Sequence, residues 1–289
     1  GLFATLLVIG ALDGMTDVAQ NAQAMQVQER REGSIVARMH ALWSIGTLTG
    51  GLIATRAAAA SISLESQLLV TSVGLLALAA IAGRWLLPPD PIHPAHVDAN
   101  GRRAVTLTRA MAALLIGMGA AATLSEIPVM EWASLLMEER FELDAGAAGF
   151  GFVAFASGMV VGRLTGDLVV DHFGTERTRR GGATLGFIGI LVVAAAPVAL
   201  VAGLGFVVTG IGVSVLFPLT IRRASELVGG TSRGMAVFTA GSRVGILMSS
   251  PLMGAISDAT SRTVALVAIS GTATAASALV RLPDATPPP

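Results

Sequence analysis

Apolar runs of about twenty residues, separated by short clusters of charge, recur along the chain. Nine of them read as helices: Gly1–Ala22, Ile35–Ala58, Gln67–Leu87, Ala112–Trp132, Ala145–Val170, Gly182–Leu200, Val201–Thr220, Gly234–Ser257 and Val264–Leu282. A helix rising 1.5 Å per residue needs about 20 such residues to cross a hydrocarbon core of about 30 Å. From Gly182 to Thr220 the apolar run is nearly continuous and too long for one crossing, and a turn near Pro197–Gly203 divides it best. The pattern predicts an all-α, polytopic membrane protein.

Composition sharpens this picture. Hydrophobic residues make up 53% of the 289 positions and charged ones only 13%, with a mean hydropathy of +0.72. Soluble domains carry about 25% charge, so this chain has too little polar surface to cover a globule in water. All 19 basic residues are arginine, and they alternate sides. Arg30, Arg31, Arg38, Arg102, Arg103, Arg109, Arg177, Arg179, Arg180, Arg222, Arg223, Arg233 and Arg281 fall on one side, against Arg56, Arg140 and Arg262 on the other. Loops rich in arginine face the cytoplasm, so the C-terminus is expected there and the protein in the cell (cytoplasmic) membrane. Asp13 and Asp17 inside the first run, with no basic leader before it, make that run an interior helix rather than a signal peptide.

Several function classes drop out. Net charge is zero, which argues against nucleic acid as a partner. Cysteine is absent, removing disulfides, thiol nucleophiles and Cys-ligated metals, and no second histidine lies at ligand spacing from His40, so no metal site and no cofactor are expected. No GxxxxGK[ST] loop, HExxH or Ser/His dyad stands out, so the chain is not expected to be an enzyme or to hydrolyse ATP. A non-transporting membrane sensor stays as the alternative from a different class; it predicts a sizeable signalling domain, and after Leu282 the sequence reads only PDATPPP.

The longest polar connection, Pro88–Thr106, divides the chain into residues 1–87 with three spans, a cytoplasmic linker at 88–106, and residues 107–289 with six. Ile45–Ile53 (IGTLTGGLI) resembles Val244–Leu252 (VGILMSSPL), six helices further on, as in two related halves. Four segments then carry a resemblance: Ala11–Gln23 (ALDGMTDVAQNAQ), Arg38–Gly51 (RMHALWSIGTLTGG), Glu126–Glu139 followed by Gly162–Gly174 (GRLTGDLVVDHFG), and Gly210–Pro218 (GIGVSVLFP). In order and spacing they resemble a major facilitator superfamily transporter, and more narrowly its fucose-permease-like branch, matched to helices four to twelve of twelve. The resemblance implies the superfamily fold with nine transmembrane helices present of an expected twelve, so that the chain begins inside a longer parent and is inactive or unstable alone. It also implies a monomeric secondary active transporter in the lipid bilayer, with a small polar solute such as a sugar, and protons, as its partners. Efflux of drugs or metabolites is the same-class alternative.

Within the spans, ionisable residues are the functional candidates, because a charge at the bilayer centre costs about 2.5–3.5 kcal/mol or more. Asp13 and Asp17 lie i,i+4 on one helix face with Gln20 and Asn21, a stripe that needs a cavity or other helices. By resemblance Asp17, with Asp13, is the proton-coupling position; the alternative is a carboxyl that only packs helices. Asn21, Gln20, His40, Trp43, Glu126 and Arg243 are the candidate solute contacts. Arg243, mid-span, calls for a carboxylate from Asp13, Asp17, Glu126 or an anionic solute. Glu126 is the acid expected to face inward; the bland alternative groups it with Glu131 and Trp132 as solvated interfacial residues. By resemblance Gly162, Arg163, Gly166, Asp167, Asp171 and Gly174 form a conformational latch, although His172, Thr175 and Glu176 stand where basic residues are usual and Arg177, Arg179 and Arg180 would compensate. Arg163 and Asp167, at i,i+4, are expected to pair locally. Gly46, Gly50, Gly51, Gly210 and Gly212 would let backbones approach, and Pro218 and Pro251 would kink or end their helices.

Overall fold

The computed structural model describes residues 36–87, 107–228 and 232–280, with scattered helical positions between 5 and 27. All regular structure among the described residues is helical. In chain order the elements are α1 (Val36–Ala59), α2 (Leu64–Ala82), α3 (Arg109–Phe141), α4 (Phe150–Phe173, after a single turn at Ala145–Ala148), α5 (Thr175–Ala195), α6 (Ala199–Val213), α7 (Leu216–Leu227) and α8 (Ser232–Ala259). The last, α9 (Arg262–Leu279), contains a wider π turn at Val267–Gly271. Five stretches among the described residues are long and apolar enough to cross a membrane: Leu64–Trp85, Arg109–Phe141, Ala145–Phe173, Ala199–Leu227 and Arg262–Leu279. This is a multi-pass membrane protein.

Two compact units divide the chain, one from Gly1–Trp43 with Leu64–Arg102, the other from Ser44–Ser63 with Arg103–Pro289. In the first, α2 buries none of its residues and is apolar on every side, as a helix surrounded by lipid can be. The Gln23 side chain donates to the Leu87 carbonyl (3.0 Å) and accepts from its amide (2.9 Å), tying two distant stretches of this unit.

The second unit is built on α6. Glycines bring three helices together: a Cβ added to Gly210 would strike the backbone of α4, and one on Gly212 would meet the Gly182 carbonyl at 2.6 Å and the Gly186 Cα at 2.7 Å on α5. Backbone contact of this kind replaces the hydrophobic drive that lipid removes, because dispersion between close helices is what remains. Phe155, Phe206, Leu136, Met137, Val193 and Met253 fill the space around it. The apolar run after Gly182 divides at Ala196–Val198, where α5 ends and α6 begins. Further on, Ser214 and Val215 interrupt the helix before α7. Pro218 explains that break, since it lacks the N–H that would reach the Ser214 carbonyl and its ring crowds that carbonyl. Pro251, by contrast, sits within an unbroken α8.

Arginines finish the helix ends. Arg140 donates to the carbonyls of Val193 (2.8 Å) and Ala196 (2.7 Å) at the end of α5. Arg179, only 2% exposed, donates to Ser277 (2.6 Å) and Val280 (2.8 Å) at the end of α9 and pairs with Glu176 at 2.7 Å. Arg180 adds Ala278 at 2.7 Å. Unpaired carbonyls and the negative end of the helix dipole both favour a guanidinium there. Arg179→Gln should therefore detach the last turn of α9 at a cost of about 2–3 kcal/mol. Limited proteolysis of purified protein checks this: cleavage after α9 should become markedly faster, and an unchanged rate would remove the clamp from consideration.

Candidate functional site

Among the described residues, two charges at mid-span, Glu126 and Arg163, meet in the second unit. Glu126 lies near the middle of the 33-residue α3 and is 8% exposed. Arg163 lies on α4 and brings its Nη2 to 3.2 Å from the Glu126 Oε1. Its Nη1 donates to the Ser44 hydroxyl on α1, itself buried. Three helices thus contribute one residue each. On α4, Gly162 faces the Ile211 carbonyl of α6 and Ser214 just beyond it, and Gly166 faces Val215. The next position, about 100° round the helix, carries Arg163 away from that glycine seam towards α3.

This arrangement corrects two expectations. The i,i+4 pairing of Arg163 with Asp167 gives way to a pair between helices, because a carboxylate held at 10% side-chain exposure gains more from a guanidinium than the exposed Asp167 does. Glu126 consequently answers Arg163 rather than Arg243, and it is not a solvated interfacial acid. Arg243 stands exposed on α8. Glu131, also exposed, accepts hydrogen bonds from Ser250 (2.8 Å) and Ser249 (3.3 Å) of α8, and the half-buried Trp132 packs against the core.

Of the other expected site residues, Gln20 is helical and exposed, and Trp43 is exposed at 52%. Asp13, Asp17 and Asn21 lie outside the described residues, as do the His40 side chain, the 88–106 linker and Arg281. Among the expected latch residues, Gly162 and Gly166 are packing contacts, Asp167 and Asp171 are exposed, and Gly174 forms the one-residue link between α4 and α5 with φ +80°. Sequence reasoning missed Ser44, which gives no signal beside Trp43, and placed Arg179 with the cytoplasmic-side arginines that would compensate in the latch, where it is a buried clamp. No group of three or more potential metal ligands occurs among the described residues.

The fold and this site define a class, a helical membrane protein with an ion pair set among apolar spans. More particularly, the sequence is similar to an uncharacterized MFS-type transporter of Yersinia pestis, 26% identical over 263 residues that cover 90% of this chain and 66% of that protein. It is similar to an uncharacterized transporter of Sinorhizobium fredii, 25% identical over 221 residues covering 76% and 57%. The membrane protein MosC of Rhizobium meliloti is 26% identical over 263 residues, covering 88% and 61%. The chain spans about two thirds or less of the length of these curated relatives. No family model matches, and no solved structure does.

Proposed function

We propose that this chain serves secondary active transport of a major facilitator type, moving a small polar solute such as a sugar in symport with protons by alternating access. The observation that carries this reading is the Glu126–Arg163 pair. Charges placed at the middle of apolar helices are costly and have a use when a protein must switch between two arrangements. A helical multi-pass architecture and relatives named as transporters support it. In this reading the pair is a tie between α3 and α4 that opens and closes as access alternates. Asp17 and Asp13 carry the proton, and Gln20, Asn21, His40, Trp43, Glu126 and Arg243 are candidate solute contacts. The arginine asymmetry supports a cytoplasmic C-terminus in the cell membrane.

Solute-driven proton movement in membrane vesicles tests this, with the protein expressed from its own locus and a panel of sugars, polyols and small acids. Proton entry on adding one of the solutes, abolished by Asp17→Asn, is the expected result. Solute flux indifferent to the proton gradient and to Asp17→Asn would retain transport and reject proton coupling. Absence of flux for every solute in the panel would reject the symport reading.

A further inference from the structure

Pro128 sits inside α3, two residues after Glu126. It has no N–H, so the carbonyl four positions earlier, that of Leu124, loses its helical partner. In a membrane interior no water replaces it, and an unsatisfied carbonyl there costs several kcal/mol. The Ser270 hydroxyl of α9 donates to that Leu124 carbonyl at 2.9 Å across 146 residues of sequence. Ser270 is fully buried and belongs to the π turn Val267–Gly271.

The π turn is itself supported by hydroxyls. Thr274 donates to the carbonyls of Ser270 (2.6 Å) and Gly271 (3.0 Å), and Thr272 to that of Ile269 (3.1 Å). A π turn inserts one extra residue and so re-aims the side chains that follow the helix face. On the other side of the segment, Thr123 donates to the Ser242 carbonyl of α8 at 3.2 Å. The stretch from Thr123 to Pro128, with Glu126 at its centre, is thus fastened to α8 at one end and to α9 at its orphaned carbonyl.

We infer that Pro128 bends α3 and that Ser270 is a positioning residue, which holds that bend by taking up the orphaned Leu124 carbonyl and so sets how Glu126 is presented to Arg163. This rests on the reading of that pair as the moving tie, yet the bend can be measured without any solute. The chain has no cysteine, so a single Leu135→Cys on the exposed side of α3 beyond the proline reports its position by its rate of maleimide labelling in membranes.

The full chain carrying Leu135→Cys is compared with Ser270→Ala, Ser270→Thr, Pro128→Ala and Ser270→Ala/Pro128→Ala added to it. Ser270→Ala should change labelling several-fold or cut membrane yield, and Ser270→Thr should restore either. Pro128→Ala returns an N–H to the Leu124 carbonyl, so adding Ser270→Ala to it should change neither readout. Equal damage from Ser270→Ala with and without Pro128 would overturn the inference, because Ser270 would then be mere packing; no change in the native background would overturn it too. A second cycle measures thermal unfolding in detergent: Ser270→Ala should lower the midpoint less when Glu126→Met/Arg163→Met has removed the pair. An equal fall in both backgrounds would leave the bend standing and overturn the link to Glu126. None of these readouts requires transport, so a failed solute screen and a failed hinge give different results.

Discussion

Glu126→Met should leave little folded protein in the membrane, while Arg163→Met should do less harm and Glu126→Met/Arg163→Met should accumulate well but not transport. Breaking a buried pair by removing one partner costs about 3–5 kcal/mol, whereas replacing both with apolar residues of similar size is often neutral. The two single losses are unequal because an orphaned carboxyl can take up a proton and become neutral, and a guanidinium cannot. Set against a stability of about 5–15 kcal/mol, the first change consumes much of the margin. Monodisperse yield after detergent extraction ranks the three variants. If Glu126→Met matched the parent, or the double variant were the poorest of the three, the pair would not be the buried tie described above.

The second large effect is expected at Gly212. Replacing it with Ala would drive a methyl into the Gly182 carbonyl, 2.6 Å away, and the backbone of Gly186. Neither is the far end of a flexible side chain, so α5 and α6 would have to move apart and the cluster around Phe206 and Val193 would loosen with them. A strained insertion into a packed seam costs about 1–3 kcal/mol, and losing the close approach along two helices adds to it. Gly117 and Gly181 are the controls: nothing lies within 4 Å of a Cβ at either, and Gly→Ala in a helix contributes up to about 1 kcal/mol of stability. Thermal unfolding in detergent should give opposite signs at Gly212 and at the controls. Matching signs would mean that the seam tolerates widening.

Hydropathy made the helices legible and left their pairing hidden. The expected span Ile35–Ala58 coincides with the helix Val36–Ala59, and Gly234–Ser257 with the helix Ser232–Ala259, although neither helix is among the five stretches apolar enough to cross a membrane. Where bounds differ, the polar ends explain it: α3 runs on to Phe141, past the end of its apolar run at Trp132, because Arg140 finds the α5 carbonyls. The division of Val201–Thr220 into α6 and α7 follows from Pro218, whose effect four residues upstream a hydropathy scan does not see. In the site, Glu126 was identifiable as an intramembrane charge. Its partner was not, because a helix apolar on several sides gives no indication of which face meets which neighbour, and i,i+4 spacing favoured Asp167 over a residue on another helix. Ser44 and Ser270 carry no sequence signal of their own, since their roles come from the groups opposite them.

Gly174 fixes a pivot. One residue joins α4 to α5, in a backbone conformation that glycine alone adopts cheaply, so neither helix can slide along the other at that end. With 24 residues, α4 is a lever about 36 Å long. A tilt of about 10° about the pivot would carry its far end roughly 6 Å, more than one helical turn, while Asp171 beside the pivot scarcely moved. Arg163, a little over two fifths of the way along, would travel about 2–3 Å. That is enough to part a guanidinium from a carboxylate with no side-chain rotation at all, so a small tilt at this corner is amplified into a break at mid-span.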